Sequence, residues 1–138
     1  MTHGEHVAQC ACGALQVTVQ GEPDVVVACN CTDCQRRTGS PFGVGAYYPR
    51  ARVLSINGET GSFARKSDAG RTLTNKFCRN CGTAVYWTLE MRPEHIGIAV
   101  GCFTDPEFTA PARIVWAKNR HHWVSFPDDM PSFPESAS

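Results

Sequence analysis

The residues of this sequence most able to do chemistry are its cysteines. Seven of the eight lie in three groups whose members are separated by only one or two residues, and the eighth stands alone. The groups are Cys10 with Cys12, Cys29 with Cys31 and Cys34, and Cys78 with Cys81, and the single cysteine is Cys102. Thiols at these spacings are typical ligands of zinc. A disulfide framework and an iron–sulfur cluster also use several cysteines, so both stay open as alternatives.

The two cysteine pairs predict a closed metal site. A glycine follows the second cysteine of each pair, and glycine relaxes the backbone where a turn directs successive N–H groups towards sulfur. Four thiolates fill the tetrahedral coordination sphere of zinc, so we expect a structural zinc ion here. The expected ligands are Cys10, Cys12, Cys78 and Cys81. Because the unfolded chain has no preformed site, metal binding would contribute to folding.

The remaining group, Cys29, Cys31 and Cys34, predicts a different kind of site. Three thiolates at this spacing, at the start of a short helix, can bind one ion, and the helix N-terminus favours their deprotonated form. Three protein ligands with an exchangeable fourth position are typical of catalytic zinc, whereas a fourth protein ligand makes a structural site. Cys102 or a histidine could supply that ligand, or the thiols could stay empty and reduced. All of these alternatives stay open at this point.

An open site with three thiolates suits a sulfur ligand better than water. Its net charge of −1 makes the ion electron-rich, so it generates hydroxide poorly and accepts a soft ligand. A thiol that coordinates zinc loses its proton. The predicted chemistry is therefore the capture of a small thiol as a nucleophilic thiolate, with Cys29, Cys31 and Cys34 acting through the bound zinc.

The residues after the trio are candidate substrate contacts. Arg36 and Arg37 could pair with substrate carboxylates, and Thr38 and Gly39 could donate hydrogen bonds from a hydroxyl and a backbone N–H. The alternative for each arginine is a solvated helix face. From these residues we select Arg36, Thr38 and Gly39 as the predicted binding residues.

Short strands must position these groups. Nine segments have strand-like patterns or compositions, and turn signals separate them. They are 15–19, 25–28, 44–48, 52–56, 62–65, 72–77, 84–88, 96–100 and 112–116. Only residues 32–38 favour a helix, which Gly39 can end. With 12 Gly and 9 Pro, the pattern predicts a mainly β domain with little helix.

The length and the charge of the sequence limit the classes of function that it can have. The 138 residues suit one domain, which we expect to span 1–138 with a core of about 6–126 and a loose tail over 127–138. Thirteen basic and thirteen acidic residues balance without a run of like charge, which argues against nucleic acid and anionic membranes as partners. The polar N-terminus lacks an apolar signal region, so we expect a cytoplasmic protein. No pattern indicates the oligomeric state.

The order of the motifs resembles that of the glutathione-dependent formaldehyde-activating enzyme family. The matching motifs are Cys-x-Cys-Gly-Ala at 10–14, Cys-x-Cys-x-x-Cys-Gln-Arg-x-Thr-Gly at 29–39, Phe-Cys-x-x-Cys-Gly-Thr at 77–83, and the ending over 116–133. The resemblance implies an Mss4-like fold, with several small antiparallel sheets stapled by zinc. It also implies two zinc ions, a structural one on the two pairs and a catalytic one on the trio.

The activity attached to the family name is condensation of glutathione with formaldehyde to S-hydroxymethylglutathione, which is classed as a carbon–sulfur lyase reaction in reverse. The resemblance thus implies a small thiol and a small aldehyde as partners. It makes Arg36, Thr38 and Gly39 candidate glutathione contacts. The alternative hypothesis is a non-catalytic, zinc-stabilised module that carries glutathione or docks a protein partner.

Overall fold

The computed structural model describes residues 4–67 and 70–136, and within them strands dominate. The ten strands are β1 (Glu5–Gln9), β2 (Gln16–Gln20), β3 (Val25–Cys29), β4 (Gly43–Pro49), β5 (Val53–Asn57), β6 (Thr60–Lys66), β7 (Thr72–Cys78), β8 (Ala84–Leu89), β9 (His95–Ala99) and β10 (Arg113–Val115). Helix α1 spans Thr32–Thr38, and 3₁₀ turns cover Arg50–Arg52, Val100–Phe103 and Ala117–Asn119. No helix within the two described ranges is both long and apolar enough to cross a bilayer.

The strands form two sheets, which confirms the prediction of a mainly β fold with little helix. The smaller sheet has the order β1-β2-β5 and the larger has the order β10-β3-β4-β9-β8-β7-β6. Neighbouring strands run antiparallel except for β10 and β3, which are parallel. This arrangement agrees with the fold that the family resemblance implied.

The hydrophobic core lies between the two sheets. Val17 and Val19 of β2 pack in the same buried cluster as Ile96 and Ile98 of β9, and all four are fully buried. Because strand side chains alternate between faces, the residues between these core positions point away from the core. In the seven-stranded sheet that second face carries the site described below.

The sequence analysis missed β1. Of its five residues only Ala8 is fully buried, and the others are polar or partly exposed. An edge strand that buries so little apolar surface gives almost no hydrophobic periodicity, so the sequence of this segment predicts no strand. Its pairing with β2, from Glu5 opposite Gln20 to Gln9 opposite Gln16, defines it in the structure.

The segment expected to be a loose tail follows the outer edge of β10. Ile114 N–H donates to the carbonyl of Pro131 at 2.9 Å, and Phe133 N–H donates back to Ile114 at 2.9 Å. An edge strand leaves backbone groups unpaired, and an extended segment can satisfy them whatever its composition. Backbone hydrogen bonds thus connect this segment to the chain around β10 as far as Glu135, and 137–138 lie outside the described residues.

The β5–β6 turn depends on Gly58, which gives a first prediction. Its φ is +110°, and a Cβ atom there would lie 2.2 Å from the backbone oxygen of Ala14. We expect Gly58→Ala to lower the free energy of unfolding by at least about 2 kcal/mol, because backbone strain and a backbone clash act together. Gly39→Ala is the matched control, since Gly39 has φ +66° but open space around it. Its expected cost is about 1 kcal/mol, and equal costs in denaturant unfolding would contradict the packing argument.

Candidate active site

Four cysteines from two hairpins converge at one end of the molecule. Cys10 and Cys12 lie in the β1–β2 connection, whereas Cys78 ends β7 and Cys81 lies in the β7–β8 turn. Their Sγ atoms all lie within 4.8 Å of one another. The two turns have the same backbone pattern, in which the N–H of the glycine that follows each pair donates to the carbonyl of the first cysteine.

Backbone N–H groups surround the sulfur atoms of this four-cysteine cluster. Leu15 N–H donates to Cys10 Sγ at 3.2 Å, and the N–H groups of Asn80 and Cys81 donate to Cys78 Sγ at 3.3 and 3.4 Å. Gly13 and Gly82 have φ of +83° and +82°, so each turn uses the left-handed backbone that the sequence analysis expected glycine to allow. Four convergent thiols with this N–H support fit a tetrahedral zinc ion.

The four-cysteine cluster connects the two sheets. One of its hairpins belongs to the three-stranded sheet and the other to the seven-stranded sheet. Hydrogen bonds from Thr83 lower the pKa of Cys81 to about 5, so this exposed thiol is ready to act as a thiolate ligand. A metal bound here would connect the two sheets through hairpins that are far apart in sequence.

The second cluster lies between the end of β3 and the first turn of α1. Cys29 is the last residue of β3, Cys31 is the N-cap of α1, and Cys34 lies in its first turn. Cys34 N–H donates to Cys31 Sγ at 3.3 Å, and the three Sγ atoms lie within 4.8 Å of one another. Hydrogen bonds from the Cys29 and Cys34 thiols, supported by the nearby Arg65 guanidinium, lower the pKa of Cys31 to about 2. Contacts with the Cys31 thiol and burial raise the pKa of Cys29 and of Cys34, so Cys31 is the thiol that carries the negative charge in the trio.

The cysteine trio opens into a cavity of about 140 Å³ on the face of the large sheet that points away from the core. Tyr47 and Trp87 form its aromatic wall. Among the described residues, the trio includes no fourth cysteine, histidine or carboxylate. A zinc ion held by these three thiols would therefore have a fourth coordination position for another ligand.

Cys102 is not the missing ligand. Its Sγ lies 3.8 Å from the carbonyl oxygen of Ala84, and it packs against the core cluster. Burial raises the pKa of its thiol. Cys102 therefore behaves as a small, partly buried apolar residue.

The Trp87 indole lies flat across two glycines of neighbouring strands. A Cβ atom on Gly97 would lie 2.2 Å from Trp87 Nε1, and one on Gly45 would lie 2.6 Å from Trp87 Cζ2. Arg37 stacks over the ring, with Cζ 4.5 Å from the centroid, and Trp87 Nε1–H donates to the Tyr47 hydroxyl at 3.3 Å. The glycines therefore set the position of the whole aromatic wall.

Gly97→Ala tests this wall. We expect the added methyl group to displace Trp87, lower the free energy of unfolding by about 1–3 kcal/mol, and shift tryptophan fluorescence to longer wavelength as the indole becomes exposed. Gly101→Ala is the control, because a Cβ atom there meets nothing within 4 Å. An unchanged emission spectrum and unchanged stability in Gly97→Ala would contradict the contact.

The structure separates the two arginines that follow the trio. Arg37 lines the cavity, whereas Arg36 and Gly39 line a different depression beside His121 on the outer side of α1. Thr38 uses its hydroxyl locally, since it donates to the Cys34 carbonyl at 2.9 Å and accepts from Ser40 N–H at 3.0 Å. Of the residues considered after Cys34, only Arg37 is thus brought to the trio.

Several cavity residues were missed by the sequence analysis as site residues. Arg65 lines the cavity and pairs with Asp33 at 3.0 Å, and Asn75 reaches it from the neighbouring strand β7. Trp116 also lines it, with the left-handed φ of 56° that is rare for a bulky residue. These residues are distant from the trio in sequence, and only the strand order brings them together.

A larger groove continues from the cavity along the same sheet face. It has a volume of about 660 Å³ and shares Val27, Tyr47 and Val115 with the cavity. Arg92 and Arg113 are among the residues at its far side. The combined site therefore runs from three thiols to a positively charged region.

The chain is similar to known proteins in sequence and in fold. A Schizosaccharomyces pombe protein named as an uncharacterized lyase is 31% identical over 83 residues, which cover 60% of this chain and 57% of that protein. The chain thus spans a little over half the length of this relative. A crystal structure of a Rhodobacter sphaeroides protein superposes with a TM-score of 0.53 at 22% identity, covering 76% of this chain and 91% of the other, and supports the fold.

The family comparison covers most of the chain. The profile described as glutathione-dependent formaldehyde-activating enzyme matches residues 5–119, which include all three cysteine groups. The motif resemblance seen in the sequence is confirmed by this match. The chain belongs to the glutathione-dependent formaldehyde-activating enzyme family.

Proposed function

We propose that this protein is a zinc-dependent, carbon–sulfur lyase-type enzyme that binds glutathione or a similar small thiol and adds it to formaldehyde or another small aldehyde. The observation that carries the proposal is the cysteine trio, which faces a cavity and has no fourth protein ligand within the described residues. Family membership and the lyase name of the yeast relative support the same class of reaction.

Cys29, Cys31 and Cys34 would hold the catalytic zinc, and Cys10, Cys12, Cys78 and Cys81 would hold the structural one. Zinc on the trio would supply a position for the substrate sulfur and keep that sulfur deprotonated. A thiol sulfur held at the trio would face Tyr47 and Trp87, because they line the same cavity. Holding two reactants in one orientation is itself a source of acceleration.

The groove gives a route for the rest of the thiol. Pockets that enclose a small molecule are commonly about 300–1,000 Å³, so a cavity of about 140 Å³ admits only the sulfur end of a tripeptide. The adjoining groove of about 660 Å³ is large enough for the remainder. We assign carboxylate recognition to Arg113 in this groove rather than to Arg36, Thr38 and Gly39, because those three residues do not line this path.

We assign to Tyr47, which lines the cavity, the donation of a hydrogen bond to the aldehyde oxygen. Its hydroxyl oxygen already accepts from Trp87 Nε1–H at 3.3 Å, which leaves its own proton for another partner. Burial raises the pKa of Tyr47 to about 12, so the hydroxyl stays protonated at neutral pH. A fixed donor of this kind stabilises the negative charge that develops on oxygen when sulfur attacks the carbonyl carbon.

Isotope exchange tests the proposed reaction. With zinc-loaded protein well below the substrate concentrations, we expect faster exchange of ¹³C-formaldehyde between its free form and its glutathione adduct, measured by NMR exchange spectroscopy. Free zinc at the same concentration is the control, because thiols add to formaldehyde without a catalyst. Binding of glutathione without faster exchange would refute the enzyme and leave the glutathione-carrying module.

A further inference from the structure

One cavity residue has a chemical feature that the proposed mechanism does not use. Asn75 lies on β7, is only 8% exposed, and lines the cavity together with the three cysteines. Its Oδ1 atom is buried and has no hydrogen-bond partner. A buried acceptor without a donor is costly and rare, so each case needs an explanation such as a missing ligand.

The two residues that the strand register places opposite Asn75 give its Oδ1 atom no hydrogen bond. Asn75 pairs with Phe63 of β6 on one side and with Trp87 of β8 on the other. Aromatic side chains at both positions would pack equally well against leucine, so packing alone gives no reason for an amide. Asn30 also has a buried Oδ1 atom without a partner, but its Nδ2 donates to the Val115 carbonyl at 3.2 Å, and Asn30 does not line the cavity.

The unpaired Oδ1 atom complements the charged side chains of the cavity. The charged side chains there, Arg37 and Arg65, carry only N–H donors. They can bind anions and carbonyl oxygens but cannot accept a bond from a hydroxyl group. Asn75 supplies an acceptor in this wall.

We propose that Asn75 is a catalytic residue whose Oδ1 atom accepts a hydrogen bond from the hydroxyl group of the thiol–aldehyde adduct. The inference rests on the proposed function. When the thiolate sulfur attacks the aldehyde carbon, a C–S bond forms and the C=O π pair moves to oxygen. That oxygen takes up one proton from water, which balances the proton that the thiol released on binding. The product therefore carries an O–H donor that neither free reactant has.

With this role, Asn75 distinguishes the thiol–aldehyde adduct from the free aldehyde. The aldehyde carbonyl has no proton to donate, whereas the adduct hydroxyl does, so the bond strengthens as the reaction proceeds. The bond forms as the oxygen takes up its proton, so it assists this protonation step and stabilises the adduct, and it contributes nothing to the binding of the thiol. Glutathione alone should bind equally well with or without the Asn75 acceptor.

Asn75→Leu is the direct test, since leucine keeps a similar volume and removes the unpaired acceptor. In the full-length, zinc-loaded protein we expect the ¹³C-formaldehyde exchange rate to fall about tenfold, with glutathione affinity within twofold of wild type. The melting temperature should stay the same or rise, because a buried unsatisfied group has been removed. A purely structural asparagine predicts a lower melting temperature instead.

Two further variants keep the test decisive. Asn75→Ala removes the same acceptor without added bulk, and we expect the same loss of exchange rate in it. It replaces Asn75→Leu in the test if the leucine variant does not fold. Thr74→Val is the control, because Thr74 is the preceding residue on β7 and faces the opposite side of the sheet. If the wild-type protein catalyses exchange and both Asn75 variants exchange at the same rate as wild type, the inference is overturned. If the wild-type protein itself does not catalyse exchange, the proposed function is overturned.

Discussion

Replacement of Cys78 by serine is expected to abolish the folded state. Cys78 is 1% exposed and accepts two backbone hydrogen bonds within the cluster that connects the two sheets. Structural zinc sites contribute about 10–16 kcal/mol of binding free energy, which matches or exceeds the total stability of about 5–15 kcal/mol for a domain. Serine is a poor zinc ligand, so the variant should lose this energy. Loss of dispersion in the NMR spectrum and of bound zinc would report the result.

Cys102→Ala is the matched control for Cys78→Ser. Cys102 is also partly buried against the core, but its sulfur makes only one weak contact and belongs to neither cysteine cluster. We expect this variant to stay folded, lose about 1 kcal/mol of stability and retain both zinc ions. A folded Cys78→Ser protein with wild-type stability would contradict a structural metal in the four-cysteine cluster.

Replacement of Cys34 by serine should have the opposite profile, with function lost and fold retained. Cys34 lies on α1 beside the cavity, away from the buried core cluster. Without its thiolate the trio offers only two sulfur ligands. We expect one zinc ion to be lost and catalysed exchange to fall at least about a hundredfold, to the rate of the solution reaction. Metal analysis and the exchange assay on the same sample measure both effects.

Arg36→Ala is a suitable control for Cys34→Ser, because it changes the same helix on the side away from the cavity. It should keep both zinc ions and the wild-type exchange rate. Cys34→Ser with two bound zinc ions and full activity would show that the trio is not the catalytic centre. Loss of activity in Arg36→Ala would indicate that Arg36 binds the substrate.

The cysteine groups could be predicted from sequence because their members are close along the chain. The spacing of Cys29, Cys31 and Cys34 alone indicates a shared ligand, and the structure brings their sulfur atoms together. The choice between Arg36 and Arg37 was also within reach of sequence. Residues three apart share a helix face, so Cys34 and Arg37 point the same way whereas Arg36 does not.

The rest of the site depends on strand register, which the sequence does not reveal. Trp87 and Asn75 meet because β7 and β8 pair with those residues opposite one another. The aromatic wall further requires Gly97 on β9, opposite Trp87. A shift of one residue in either pairing would turn these side chains to the other face. The boundary of the single domain stays a prediction.

Titration of the cobalt-substituted protein with glutathione tests the central claim most directly. The account predicts that glutathione sulfur completes the coordination of the ion on Cys29, Cys31 and Cys34. The thiolate-to-cobalt charge-transfer absorption should therefore rise and saturate at one glutathione per chain, while S-methylglutathione, which has no thiol, should cause no such rise. A spectrum that glutathione leaves unchanged in fully metallated protein would contradict the account, because the fourth position would then be closed to an external sulfur.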